Sequence, residues 1–116
     1  SGTPNINRIL SQMARLNKPV MIAEATPFGT GTGKGEESWN KWFKFFFQTI
    51  AMKNIKAISF INWDWERIPQ FKGQGWGDCR LESDPVVLRK WKEEIAKPRY
   101  LNASEGLFKL IGFTNR

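Results

Sequence analysis

Two short apolar runs set what this chain can fold into. Val20-Met21-Ile22-Ala23 ends on a carboxylate, Glu24, and Ile55, Ala57, Ile58, Phe60 and Ile61 lead up to Trp63. Apolar runs without polar alternation belong to strands covered on both faces, as in parallel sheets. The expected strands are Pro19–Glu24 and Ile55–Trp63. Helical patterns surround them. Ile6, Ile9, Leu10, Met13 and Leu16 recur at helical spacing, after Thr3 as a cap and Pro4 at the first position, and Asn17 stops that helix. A second helix is predicted from about Glu36 to Lys53, with Asn54 ending it. Trp39, Trp42, Phe43, Phe46, Phe47 and Ile50 form its apolar stripe, widened by Phe45 and Met52, and Glu36 and Glu37 suit its positive end. Asp84 caps a third helix that has Pro85 at its first position and Val87, Leu88, Trp91 and Ile95 on one face; Lys97-Pro98 ends it.

Helix, strand, helix, strand, helix is an α/β order, with crossover connections and a parallel sheet. Two strands cannot cover each other's faces, yet both read as buried on both. The pattern is that of a segment of something larger, running over 4–103, with a tail over 104–116 that has no clear period. The leading Ser1-Gly2 has the look of a cloning remnant.

Composition narrows the chemistry. The 116 residues contain one cysteine, Cys79, and no histidine. A disulfide framework, a zinc site and Ser-His or Cys-His nucleophile pairs all lose their material, and no cofactor is expected. Carboxylates, lysines, arginines and the lone Tyr100 remain. The net charge of +7 is spread from Arg8 to Arg116, and Arg89, Lys90 and Lys92 are followed by Glu93 and Glu94. That is a solvated helix face and gives no nucleic-acid stripe. No apolar run is long enough to span a membrane. Six tryptophans and nine phenylalanines serve a large core, a sugar platform, or both.

Gly29-Thr30-Gly31-Thr32-Gly33-Lys34-Gly35 lies where a phosphate loop would, between a strand and a helix. Counting back from Gly33-Lys34 puts Phe28 where a P-loop needs its first glycine, and Gly35 stands in the Ser/Thr place. A mobile loop over a cleft is the expectation instead. In a sheet wound with helices, ligands meet the carboxyl ends of strands, which places Glu24 at the mouth of such a cleft. By strict alternation Val20, Ile22 and Glu24 share one face, and Ser59, Ile61 and Trp63 the corresponding face of the second strand. Asn62-Trp63-Asp64-Trp65-Glu66 adds indoles and carboxylates at that strand's end, suited to sugar faces and hydroxyls. Trp63, Asp64, Trp65 and Trp76 are the candidate substrate-binding residues, although Trp65 also reads as packing under the following loop. Asp78 and Arg80, flanking Cys79, read as an ion pair bracing the loop over Arg67–Glu82.

Pro19-Val20-Met21-Ile22-Ala23-Glu24 with its following Thr26-Pro27, Ala57-Ile58-Ser59-Phe60-Ile61-Asn62-Trp63-Asp64, the Trp76-Gly77-Asp78-Cys79-Arg80 loop and the closing helix resemble the last quarter of a clan A glycoside hydrolase. The likeness is to β-mannanase- and endoglucanase-type (β/α)8 (TIM) barrels and covers roughly Pro4 to Asn102. It implies a partial barrel, with two parallel strands and three helices. It also implies that the first strand is the seventh of the barrel and ends in the catalytic nucleophile, on Glu24. The second would be the eighth, with Trp63 lining the site of the cleaved sugar. A retaining glycosidase needs a second carboxyl about 5–5.5 Å from the nucleophile. In the family that acid belongs to the fourth strand, which has no counterpart here, and nothing matches Asp64 or Glu66 to the role.

The function expected is that of the C-terminal portion of a retaining glycoside hydrolase acting on β-linked polysaccharide, inactive alone. Its location is extracellular if it follows the resembled family. Two other readings stay open: a non-catalytic carbohydrate-binding remnant, and a small α/β protein that associates without sugar chemistry. Bare apolar strand faces and open edges call for a homo-oligomer or the missing part of the barrel. Alternatively the 67–82 loop and the tail, with Leu107, Phe108, Leu110, Ile111 and Phe113, fold back as a lid.

Overall fold

The computed structural model describes residues 3–113. Ser1-Gly2, expected as a cloning remnant, the capping side chain expected of Thr3 with Pro4, and tail residues 114–116 lie outside the described residues. Helix α1 spans Thr3–Arg15 and strand β1 Met21–Ala25. The next helix, α2, is continuous but built in three runs: α-helical Glu36–Ser38, π-helical Trp39–Phe43 and α-helical Lys44–Met52. Strand β2 is Ala57–Phe60, followed by 3-10 turns at Trp65–Arg67 and Leu81–Ser83, helix α3 at Pro85–Ile95 and a short α4 at Leu107–Leu110.

The stops are chemical. Asn17 takes φ 50° and Asn54 φ 53°, a left-handed conformation that asparagine tolerates better than most residues. After α1, Lys18 N–H donates to the Met13 carbonyl at 3.0 Å and Asn17 N–H to Ala14 at 3.1 Å, the paired bonds of a Schellman end. At α3, the Asp84 carboxylate accepts from the N–H groups of Val86 and Val87, with Pro85 at the first position.

β1 and β2 are parallel and pair with each other alone among the described residues. Their register is Met21↔Ala57, Ile22↔Ile58 and Ala25↔Phe60. Three steps on β1 therefore match two on β2, so Ala23 and Glu24 both stand opposite Ser59: a bulge. This corrects the strict alternation expected of β1. The faces are corrected as well. Val20 and Ile22, expected on the uncovered face, line a cleft walled by α1 and α2, whereas Met21 (56% exposed), Ala23, Ala57 and Ser59 are the exposed positions. β1 begins two residues later and ends one later than the expected Pro19–Glu24, and β2 is shorter than its apolar run. β2 stops at Phe60, so alternation cannot be carried on to Trp63.

The core sits on one side of the sheet. Phe43 and Val87 are fully buried, joined by Phe47 and Ile50. Phe60 of β2 lies 4.9 Å from Trp91 of α3, centroid to centroid, and Phe47 lies 5.1 Å from Trp91. Within α2 the π run stacks Trp39 on Phe43 at 5.5 Å and Trp42 on Phe46 at 4.8 Å. One extra residue per turn rotates the helix surface, so two aromatic rows are presented where an unbroken α-helix would present one wide stripe. Among the described residues the tail forms no lid: Phe108, Leu110, Ile111 and Phe113 stay exposed, with Phe108 and Phe113 touching edge to face at 6.0 Å.

Candidate functional site

A cleft of about 1020 Å³ runs from between α1 and α2 to the carboxyl end of β1. Ile6, Ile9 and Leu10 of α1 and Trp42, Phe45 and Phe46 of α2 face each other across it. Glu24 and Thr26 lie on its wall, and Phe28, Trp65, Phe71 and Trp76 form its aromatic end. Among the described residues Glu24 is the only carboxylate lining it and Lys41 the only cation, and Lys41 Nζ is already held by Glu37 at 2.7 Å. Glu24 is exposed. A water-accessible carboxylate beside apolar ring faces can accept hydrogen bonds from hydroxyls or attack an electrophilic carbon, provided a second group handles the leaving proton.

Of the expected sugar-binding set, this cleft gathers Trp65 and Trp76. Trp63 and Asp64 do not line it, which corrects the expectation that Glu24 and Trp63 share one cleft. The reason is the early end of β2: Trp63 falls in irregular chain, half exposed, with its carbonyl accepting from Cys79 N–H at 3.0 Å. Trp65 packs against Phe71 and Trp76 at 5.1 and 4.9 Å and donates from its indole nitrogen to Thr26 Oγ1 at 3.2 Å. Asp64 caps the 3-10 turn, accepting from Glu66 N–H, and pairs with Arg67 at 3.1 Å and Arg80 at 3.8 Å.

Asp78 and Arg80 form a two-pronged pair, with Nε at 2.9 Å and the terminal nitrogen at 2.7 Å. The Arg80 guanidinium holds the Asp78 carboxyl below its ordinary value, and Asp78 pushes Arg80 up. Asn62 bridges the same loops, accepting from Leu81 N–H at 2.7 Å and donating to Glu82 at 2.8 Å, which lowers the Glu82 carboxyl. Cys79 is fully buried, and burial raises its thiol.

The glycine run after β1, expected as a mobile loop, is fastened instead. Gly31 takes φ 65° and is buried, and a Cβ there would meet the Asp78 carbonyl at 3.0 Å. Thr32 is fully buried, with its N–H on the Asp78 carbonyl at 3.1 Å and its hydroxyl on the Arg80 carbonyl at 2.7 Å. Sequence reasoning missed Thr32, Asn62 and Phe28 as site-shaping residues. The one available signal was a threonine between two glycines, where backbone can come close enough for a short side chain to bridge it.

No protein-family model matches the chain. Two curated relatives do. Beta-1,3-xylanase TXYA from Vibrio sp is 29% identical over 123 aligned positions, covering 85% of this chain and 26% of its own length. A beta-1,3-xylanase from Alcaligenes sp is 26% identical over 121 positions, covering 84% of this chain and 26% of its own length. The chain spans about a quarter of the length of the curated relatives it matches. The similarity supports a relationship to glycoside hydrolases, at low identity.

Proposed function

We propose that this chain is the C-terminal portion of a retaining glycoside hydrolase that cleaves a β-linked polysaccharide, with β-1,3-xylan the first substrate to test. The observation that carries the reading is Glu24: an exposed carboxylate released by a bulge at the carboxyl end of a parallel strand, on the wall of an aromatic cleft. The names of the two relatives supply the substrate class. In this reading β1 and β2 are the last two strands of a (β/α)8 barrel. A Glu24 oxygen attacks the anomeric carbon as the glycosidic C–O bond breaks, giving a glycosyl ester. An acid from an earlier strand protonates the departing oxygen, then takes a proton from the water that hydrolyses the ester. The apolar stretch of the cleft between α1 and α2 and the uncovered strand face would be filled by that earlier part of the barrel or by a second copy of this chain, with the aromatic end beside Glu24 left open to the polysaccharide.

The protein expressed from the complete reading frame is expected to hydrolyse β-1,3-xylan and to lose several orders of magnitude in rate on Glu24→Gln, with its fold intact. The 116-residue chain alone is expected to show no appreciable turnover. An unchanged rate in the Gln variant removes Glu24 from the nucleophile role. A second reading, a carbohydrate-binding remnant, is favoured by Glu24 being the lone carboxylate of the cleft among the described residues; xylan binding without turnover by the complete protein would select it.

A further inference from the structure

We infer that Phe28 is a sugar-stacking platform beside Glu24, taking one pyranose ring of the polysaccharide against its open face. The inference rests on the glycosidase reading for its ligand and on the geometry of Phe28 for its site. Phe28 is 56% exposed on the wall of the same cleft as Glu24, four positions further along the chain. An exposed large apolar side chain is ordinary when it stands alone on a loose loop. Phe28 stands on a fastened one.

Pro27 before it is fully buried, and Gly29 after it takes φ 71°, the left-handed position of a tight turn. Thr30 N–H and Gly31 N–H both close onto the Pro27 carbonyl, at 3.0 and 2.8 Å. Past the turn, Gly31 and Thr32 are anchored on the 78–83 segment. The ring stands near-perpendicular to Trp76 at 4.7 Å, and Trp76 is in turn packed on Trp65 at 4.9 Å and Phe71 at 4.8 Å. The outcome is an apolar ring on a hydrogen-bonded turn, more than half of it open to solvent on the cleft wall. A rigid aromatic in a cleft loses little entropy on binding. Xylopyranose lacks an exocyclic hydroxymethyl group, so its C–H faces are flat enough to lie on such a ring. Its edge hydroxyls would then be free to meet the Glu24 carboxylate.

Titration of the complete protein, held inactive by Glu24→Gln, with β-1,3-linked xylotriose, followed by calorimetry and by tryptophan fluorescence, tests this. Phe28→Ala is expected to weaken binding about tenfold and Phe28→Tyr to restore it, with far-UV circular dichroism unchanged in both. Unchanged affinity in Phe28→Ala overturns the platform and leaves the glycosidase reading standing. Absence of xylotriose binding by the complete Glu24→Gln protein at millimolar concentration also overturns the platform. Loss of xylan hydrolysis on Glu24→Gln in the complete protein would be untouched by either result, so the two readings fail separately.

Discussion

Thr32 offers the sharpest test of how the loops at the carboxyl ends of the strands are held. Its hydroxyl lies 2.7 Å from the Arg80 carbonyl, 3.2 Å from the Asp78 carbonyl and against the Ser83 hydroxyl. Thr32→Val keeps the shape and removes the hydroxyl. Neither carbonyl is then orphaned: Asp78 keeps the backbone N–H of position 32 at 3.1 Å, and Arg80 keeps the Ser83 hydroxyl at 2.7 Å. The expected cost is the net worth of one hydrogen bond, about 1 kcal/mol. Ser83→Ala alone leaves the Thr32 hydroxyl on the Arg80 carbonyl and costs a similar amount, about 1 kcal/mol.

The pair together behaves differently. With both hydroxyls gone, the Arg80 carbonyl retains only the long 3.3 Å approach of Ser83 N–H. A poorly satisfied carbonyl in a part-buried site adds about 1–3 kcal/mol beyond the sum of the single changes. Urea unfolding of the four proteins of this cycle, followed by tryptophan fluorescence, measures the coupling. For a chain of this size about 1 kcal/mol moves the midpoint by roughly 0.5 M, which is readily resolved. Additivity to within about 0.5 kcal/mol would refute the shared-carbonyl argument, and no loss in either single variant would refute the staple itself.

The Asp78–Arg80 pair carries a pH signature. The folded Asp78 carboxyl is lowered, so its contribution is complete above the ordinary carboxylate value and is lost as pH falls through the lowered one. Both partners are about one-third exposed, so the effect stays under about 1 kcal/mol. Asp78→Asn should flatten part of the acid side of the urea-midpoint profile; an identical slope in both proteins would refute it. The bare apolar wall of α1, with Ile6 and Ile9 about half exposed, and the exposed Met21 and Ala23 on β1 predict self-association. Light scattering during gel filtration should show a dimer or larger at micromolar concentration, and a compact monomer would refute that expectation.

The helices were legible because their signals are local. Asn17, Asn54 and the Asp84-Pro85 pair each fix an end through their own backbone neighbourhood, and the structure ends or begins helices beside each of them. The parallel pairing followed from element order, and the Asp78–Arg80 contact from two-residue proximity. What failed was non-local. The fastening of the glycine run depends on carbonyls some fifty residues away, which no pattern within the run encodes. The π run in α2 was hidden for a related reason. Trp39, Trp42, Phe43, Phe46 and Phe47 fit an α-helical stripe well enough, and nothing local in them marks the wider turn from which Trp42 meets Phe60 and Phe43 meets Trp91. The apolar run continues to Trp63 without any local stop signal, whereas strand pairing ends at Phe60, so the run alone does not place Trp63.

The bulge on β1 ties these strands to the chemistry proposed for Glu24. Ile22, Glu24 and Ala25 all line the cleft that Phe45 and Phe46 wall, and the register decides which of the last two meets Phe60: without the extra residue it would be Glu24. A carboxylate there would lose water and gain no cation, since the cleft's one lysine is engaged by Glu37, and the cost would be about several kcal/mol. With the bulge, Ala25 takes the place opposite Phe60 and is buried at 9% exposure, while Glu24 stays exposed one residue before it. A small apolar side chain fills the buried position and the charge keeps its water. The same extra residue brings the chain out of β1 toward Thr26 and Pro27, whose contacts with Trp65 and the following turn carry Phe28 onto the wall beside that charge. One local irregularity thus leaves a carboxylate in water on the same cleft wall as the aromatic surface.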